Sequence, residues 1–87
     1  MVDFKKLVFV GIDPHKDFHV AVMINHWGQE FMSIRFANKP AGFQELIEQI
    51  RASTPPDRVT VFGIEDTGGL GRACAQWLVS KDYLVKG

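Results

Sequence analysis

The run Leu7-Val8-Phe9-Val10-Gly11-Ile12, closed by Asp13-Pro14, constrains this chain more than any other stretch. Six uncharged residues are a strand's length and too short for a core helix, and valine and isoleucine favour a pleated backbone. Because odd and even positions are both apolar, the run suits a strand buried on both faces at the centre of a sheet. Pro14 has no N–H to give a ladder, so the strand is expected to stop there.

The rest of the chain must be arranged around that strand. A second run, Phe18 to Ile24, and a third, Phe31 to Phe36, flank Asn25-His26-Trp27-Gly28-Gln29. Asparagine and glycine in a five-residue connection predict a hairpin loop. The third run alternates, with Met32, Ile34 and Phe36 on one face and Ser33 and Arg35 on the other, as in a half-buried strand nearer an edge. Then the period changes. Phe43, Leu46, Ile47 and Ile50 form one helical stripe, with Asn38 and Pro40 as cap-like and first-turn residues. Thr54-Pro55-Pro56-Asp57 ends this helix, and Val59, Val61, Phe62 and Ile64 make a fourth strand finishing at Glu65. Thr67-Gly68-Gly69 turns into a second helix carrying Leu70, Ala73, Cys74, Trp77 and Leu78, and Tyr83-Leu84-Val85 begins a fifth strand. Tight turns make the first three strands antiparallel, and crossover helices add the later two in parallel. The expected architecture is a mixed α/β sheet of order 3-2-1-4-5, with the fourth strand beside the first.

Composition sets outer limits. Eighty-seven residues allow one domain, and 46% hydrophobic against 23% charged residues is globular, which argues against disorder. Ten basic and ten acidic residues cancel, with no basic stripe in the sequence, which counts against tight phosphate binding by this segment alone. A lone cysteine, Cys74, forms no internal disulfide and suits a reducing cytoplasm. Lys5-Lys6 before the apolar run imitates a signal peptide, but Asp13 interrupts it and no small-residue cleavage site follows. No segment approaches membrane-spanning length.

With strands one and four as parallel neighbours, Asp13 and Glu65 emerge at the same sheet edge, about 5 Å apart. Ligand sites in α/β sheets lie beyond the carboxyl ends of strands. Two carboxylates that close repel unless a cation or proton intervenes, and oxygen donors without a cysteine or histidine cluster favour Mg²⁺ or Mn²⁺ over zinc. Completed by further carboxylates, such a pair holds two metal ions about 4 Å apart across a scissile phosphate. The competing account is structural: Asp before Pro terminates strands, and Glu before a Gly-rich turn caps helices.

Three strings carry a family resemblance: Val10-Gly11-Ile12-Asp13-Pro14-His15-Lys16-Asp17, Asn38-Lys39-Pro40-Ala41-Gly42-Phe43, and Gly63-Ile64-Glu65-Asp66-Thr67-Gly68-Gly69-Leu70-Gly71. In this order, and over almost the whole chain, they resemble the N-terminal domain of the DEDD transposases named after insertion sequence 110. The resemblance implies a RuvC-like, RNase H-like fold and a DNA transposase or recombinase that uses divalent metal, with Asp13 and Glu65 as its first two acidic ligands. It further implies that two later aspartates, a C-terminal domain with a serine nucleophile and a guide RNA complete the machinery. Residues 1–87 are then one incomplete domain, expected to be inactive alone and to hold metal no better than millimolar.

Other residues carry weaker readings. Asp66 is expected to start a turn rather than to replace Glu65, because neighbouring strand residues point oppositely. Lys16 could meet a phosphate, as could the backbone N–H groups of Thr67, Gly68 and Gly69; the alternatives are a solvated lysine and glycines that only permit the turn. Asp17 also follows the first strand. His15 and His19 straddle a turn and read as ordinary surface or sheet histidines, Trp27 as an exposed hairpin tip, and Trp77 and Cys74 as core. Actin-like ATPases and sugar kinases also begin with a strand ending Gly-Ile-Asp, but their phosphate hairpin needs glycine where this chain has Pro14-His15-Lys16-Asp17. A non-enzymatic alternative is an interaction module that self-associates through an exposed last strand.

Overall fold

A computed structural model describes residues 4–65 and 68–87. After a 3₁₀ turn at Phe4–Lys6 come β1 (Leu7–Pro14), β2 (Phe18–Ile24), β3 (Glu30–Ala37), α1 (Pro40–Ser53), β4 (Val59–Ile64), α2 (Arg72–Ser80) and β5 (Leu84–Lys86). The five strands form one sheet of order β3-β2-β1-β4-β5. β1 is antiparallel to β2 and parallel to β4, β2 is antiparallel to β3, and β4 is parallel to β5. This is the mixed sheet expected of an RNase H-like fold.

Both helices cover the same face. Val8, Val10 and Ile12 of β1, Ala21 and Met23 of β2, Ile34 and Phe36 of β3, and Phe62 and Ile64 of β4 are buried with the stripe Phe43, Leu46, Ile47 and Ile50 of α1 and with Cys74 and Leu78 of α2. Each large side chain fully buried there contributes about 1.5–3 kcal/mol relative to exposure. The opposite face carries Leu7, Phe9, Val20, Val22 and Val61, all only half-buried. The expectation that β1 is buried on both faces is thereby corrected. β1 is central, but α1 and α2 both pack on the Val8–Val10–Ile12 side and leave the Phe9 side uncovered among the described residues.

Local chemistry explains the joints. Asn25 shapes the β2–β3 hairpin by accepting the N–H groups of Trp27 and Gln29 on Oδ1, at 2.9 and 3.0 Å. Trp27 at its tip is 75% exposed, as expected. Pro40 opens α1, but Lys39 rather than Asn38 is the N-cap, and no side chain caps the helix. Asn38 does something else: its Nδ2 donates to the Lys16 carbonyl at 2.9 Å and its backbone N–H to the Asp17 carbonyl at 3.0 Å, tying the end of β3 to the β1–β2 turn. A Cβ on Gly42 would run into the Ala37 carbonyl, so the glycine lets the first turn of α1 close onto β3.

The second helix also starts later than its spacing suggests. Leu70 is 39% exposed and Ala73 is exposed, while Cys74 and Leu78 are buried and Trp77 half-buried. At Gly71 a Cβ would stand 2.6 Å from Ile64 Cγ2 and 3.5 Å from Pro14 Cβ. The chain therefore approaches the ends of β1 and β4 as backbone before α2 begins at Arg72. β5 likewise begins at Leu84, one residue beyond Tyr83.

Candidate functional site

The register of β1 and β4 ends with the pair Ile12 and Ile64. Asp13 and Glu65 are the next residue on each strand, so their backbones lie about one strand spacing apart, near 5 Å. Ile12 and Ile64 both point into the helix-covered core, and alternation sends Asp13 to the uncovered face. Both carboxylate residues are exposed. On the same face, the row behind them is Val22, Gly11, Gly63 and Lys86. Neither Gly11 nor Gly63 has an atom within 4 Å of where a Cβ would stand. The two carboxylates therefore border a bare strip of backbone, open to approach by a ligand.

Asp13 is not free. His15 Nε2 lies 3.2 Å from Asp13 Oδ2, with the two side chains 45% and 72% exposed. At that exposure the pair is worth at most about 1 kcal/mol, little enough for a stronger ligand to displace. His15 is itself held: its ring stacks on Phe18 at 4.7 Å between centroids. Its backbone N–H lies between the Phe18 carbonyl, at 3.0 Å, and His19 Nδ1, at 3.2 Å. His19 is fully buried, beneath the turn that carries His15. Burial pushes its pKa below the ordinary 6.5, with the Phe18 carbonyl and a looser Asn38 contact opposing that shift. His19 Nε2 and Asn38 Oδ1 are the buried side-chain atoms without a hydrogen-bond partner among the described residues. His19 Nδ1 faces both the Phe18 carbonyl, at 3.0 Å, and the His15 N–H, at 3.2 Å.

The other expected residues divide. Lys16 and Asp17 are exposed in the β1–β2 turn beside Asp13. Gly68 and Gly69 take positive φ of 69° and 79°, where a side chain would be strained, and they precede α2. Asp66 and Thr67 lie outside the described residues. Sequence reasoning missed two side chains. One is His15, whose ring reaches Asp13 because the turn folds it back. The other is Arg72, whose Nη2 stands 3.8 Å from where a Gly69 Cβ would be. It puts a cation in the first turn of α2, where the helix dipole disfavours it. The signal for both was proximity to the motif ends.

Hard oxygen donors on neighbouring strand ends suit a divalent cation such as Mg²⁺. Asp13 and Glu65 are two donors of that kind, and no group of three or more His, Cys, Asp or Glu that could hold a metal ion occurs among the described residues. No helix among them is long and apolar enough to cross a membrane. A search of curated proteins gives no match. The sequence model of the insertion sequence 110 DEDD transposase family, described as transposase, matches residues 10–86. That match runs from Val10 within β1 to Lys86 at the end of β5 and includes Asp13 and Glu65. The chain belongs to the insertion sequence 110 DEDD transposase family.

Proposed function

We propose that this chain is the N-terminal part of the metal-dependent catalytic domain of a DNA transposase, with Asp13 and Glu65 as two of its metal ligands. The observation that carries the reading is the register: each carboxylate is the residue directly after the paired Ile12 and Ile64 on adjacent parallel strands. When bound there, Mg²⁺ or Mn²⁺ supplies Lewis acidity toward a phosphodiester. The residues of the chain do the rest. Asp13 and Glu65 hold the cation, and the Gly11–Gly63 strip leaves space for a phosphate next to it. Lys16 and the Gly68–Gly69 turn, with Arg72 beside it, offer positive charge and backbone N–H groups to flanking phosphates.

Two carboxylates are too few to hold a pair of cations, and Asp13 rises from the uncovered face. A layer packing on Phe9, Val20, Val22 and Val61 would bury that face and bring further acidic ligands over the same edge. DNA and a guide RNA are the partners this reading assigns to the complete transposase. The isolated chain is therefore expected to bind Mg²⁺ or Mn²⁺ weakly and to leave DNA intact. Incubating it with supercoiled plasmid and Mg²⁺ or Mn²⁺ tests this. Intact plasmid is the expected result, and cleavage lost on Asp13→Ala would show the chain to be a nuclease by itself.

A further inference from the structure

At the opposite end of the sheet from the carboxylates, a recess of about 690 Å³ opens between the C-terminal half of α1, the start of β4 and the start of β5. A shallower one of about 200 Å³ adjoins it, sharing Ile47, Arg51 and Tyr83 and extending to Trp77 and Lys81. Together they make one furrow with an apolar floor that includes Ile47, Pro55, Pro56 and Leu84. Its charges come from distant parts of the sequence. Arg51, Arg58 and Lys81 line it, against one lining carboxylate, Asp82. Asp57, next to Arg58, is shared between Arg58 at 3.1 Å and Lys6 at 3.7 Å. Among the lining residues three cations thus face one anion, an excess of two positive charges on a chain whose net charge is zero.

The cations are arranged rather than scattered. Arg51 Nη2 donates to the Tyr83 hydroxyl at 3.1 Å, and Lys81 Nζ lies 5.7 Å from the centre of the Trp77 ring. Arg51 and Lys81 have no carboxylate partner among the described residues. Both are held by aromatic side chains instead, so their full charge faces solvent. We propose that this furrow binds the sugar–phosphate backbone of a single-stranded nucleic acid. Arg51, Arg58 and Lys81 pair with phosphates, and Tyr83, Trp77 and the apolar floor receive the bases. Cations alternating with ring surface are what a single strand needs, because its bases are free to stack. A duplex would meet the rim with its phosphates and leave the apolar floor wet. Along β4 the furrow lining runs from Arg58 to Phe62, and Glu65 follows three residues later, about 10 Å along an extended strand. The surface is therefore separate from the carboxylates and stands or falls independently of them.

The test uses the whole chain with Trp27→Phe, which leaves Trp77 as the sole tryptophan. Titration with a short oligothymidylate is expected to change Trp77 fluorescence saturably. Neutralising three phosphates on a single strand predicts that affinity falls about 20-fold between roughly 50 and 200 mM salt. Adding Arg51→Gln and Lys81→Gln is expected to weaken binding and cut that salt effect to about 3-fold. Both side chains are exposed, so circular dichroism should show an unchanged fold. Lys39→Gln, outside the furrow, should bind as the parent does. An unresponsive Trp77, unchanged affinity in the double variant, or equal binding of polyglutamate would each overturn the proposal, the last by making the furrow an acidic-peptide site. Weak or absent metal binding at Asp13 would leave it untouched.

Discussion

Acidification below pH 6.5 should loosen this protein through one side chain, His19. The ring is wholly buried against Phe36 and Phe43, with centroids 5.4 and 6.3 Å away, and burial lowers its pKa from the ordinary 6.5. In the unfolded chain the ring takes up a proton near pH 6.5, whereas in the fold it stays neutral to a lower pH. Between those two values the unfolded state binds more protons. The stabilisation is therefore fully present above pH 6.5 and is lost as pH falls toward the folded pKa. Within that window one group contributes a slope of up to about 1.4 kcal/mol per pH unit. For a domain this small, that corresponds to roughly 6–11 °C in Tm per pH unit. Urea unfolding of the wild type and of His19→Gln between about pH 5 and 7.5 isolates the effect, because every other titrating group is common to both. The wild type should lose stability more steeply than the variant below pH 6.5. Parallel curves would mean that His19 titrates alike folded and unfolded, and would refute the argument from burial.

Other outcomes follow from the packing. Phe43 is 1% exposed and touches rings on three elements, so Phe43→Ala should cost about 3–5 kcal/mol, measured by chemical denaturation. Gly42→Ala should be more destabilising than a helix propensity scale suggests, because its methyl group meets the Ala37 carbonyl; a gain in Tm would contradict this. Burial pushes the Cys74 thiol pKa up to about 12, so alkylation at neutral pH should be slow and should accelerate only as denaturant unfolds the chain. β5 is a three-residue edge strand with one neighbour, and sedimentation should show self-association that grows with concentration; a concentration-independent monomer would count against pairing through that edge.

The fold was legible where periodicity changed sharply. Leu7–Ile12, the alternation through Phe36 and the stripe from Phe43 to Ile50 each allowed one kind of element, and tight turns then fixed the strand order. Less legible was what contacts alone decide. Leu70 matches the spacing of α2 yet precedes it, because Gly71 must fit against Ile64 and Pro14. Asn38 looks like a helix cap and instead holds the β1–β2 turn. Which face of β1 would be covered depended on the side to which both crossovers went, and no local pattern states that. Asp13 and Glu65 could be placed at neighbouring strand ends from sequence because each closes an apolar run on strands that the connections make parallel neighbours. The furrow could not, since Arg51, Arg58 and Lys81 lie 30 positions apart from first to last and meet only in the folded chain.

The central claim is that Asp13 and Glu65 share one cation. An NMR titration of the chain with Mn²⁺, set against Mg²⁺ and against Asp13→Ala, tests it most directly. The account predicts line broadening centred on Asp13, Glu65 and the Gly68–Gly69 turn at millimolar metal, lost in the variant. A well-folded sample whose broadening is diffuse, or unchanged by Asp13→Ala, would contradict it and leave the two carboxylates as strand ends without a metal between them.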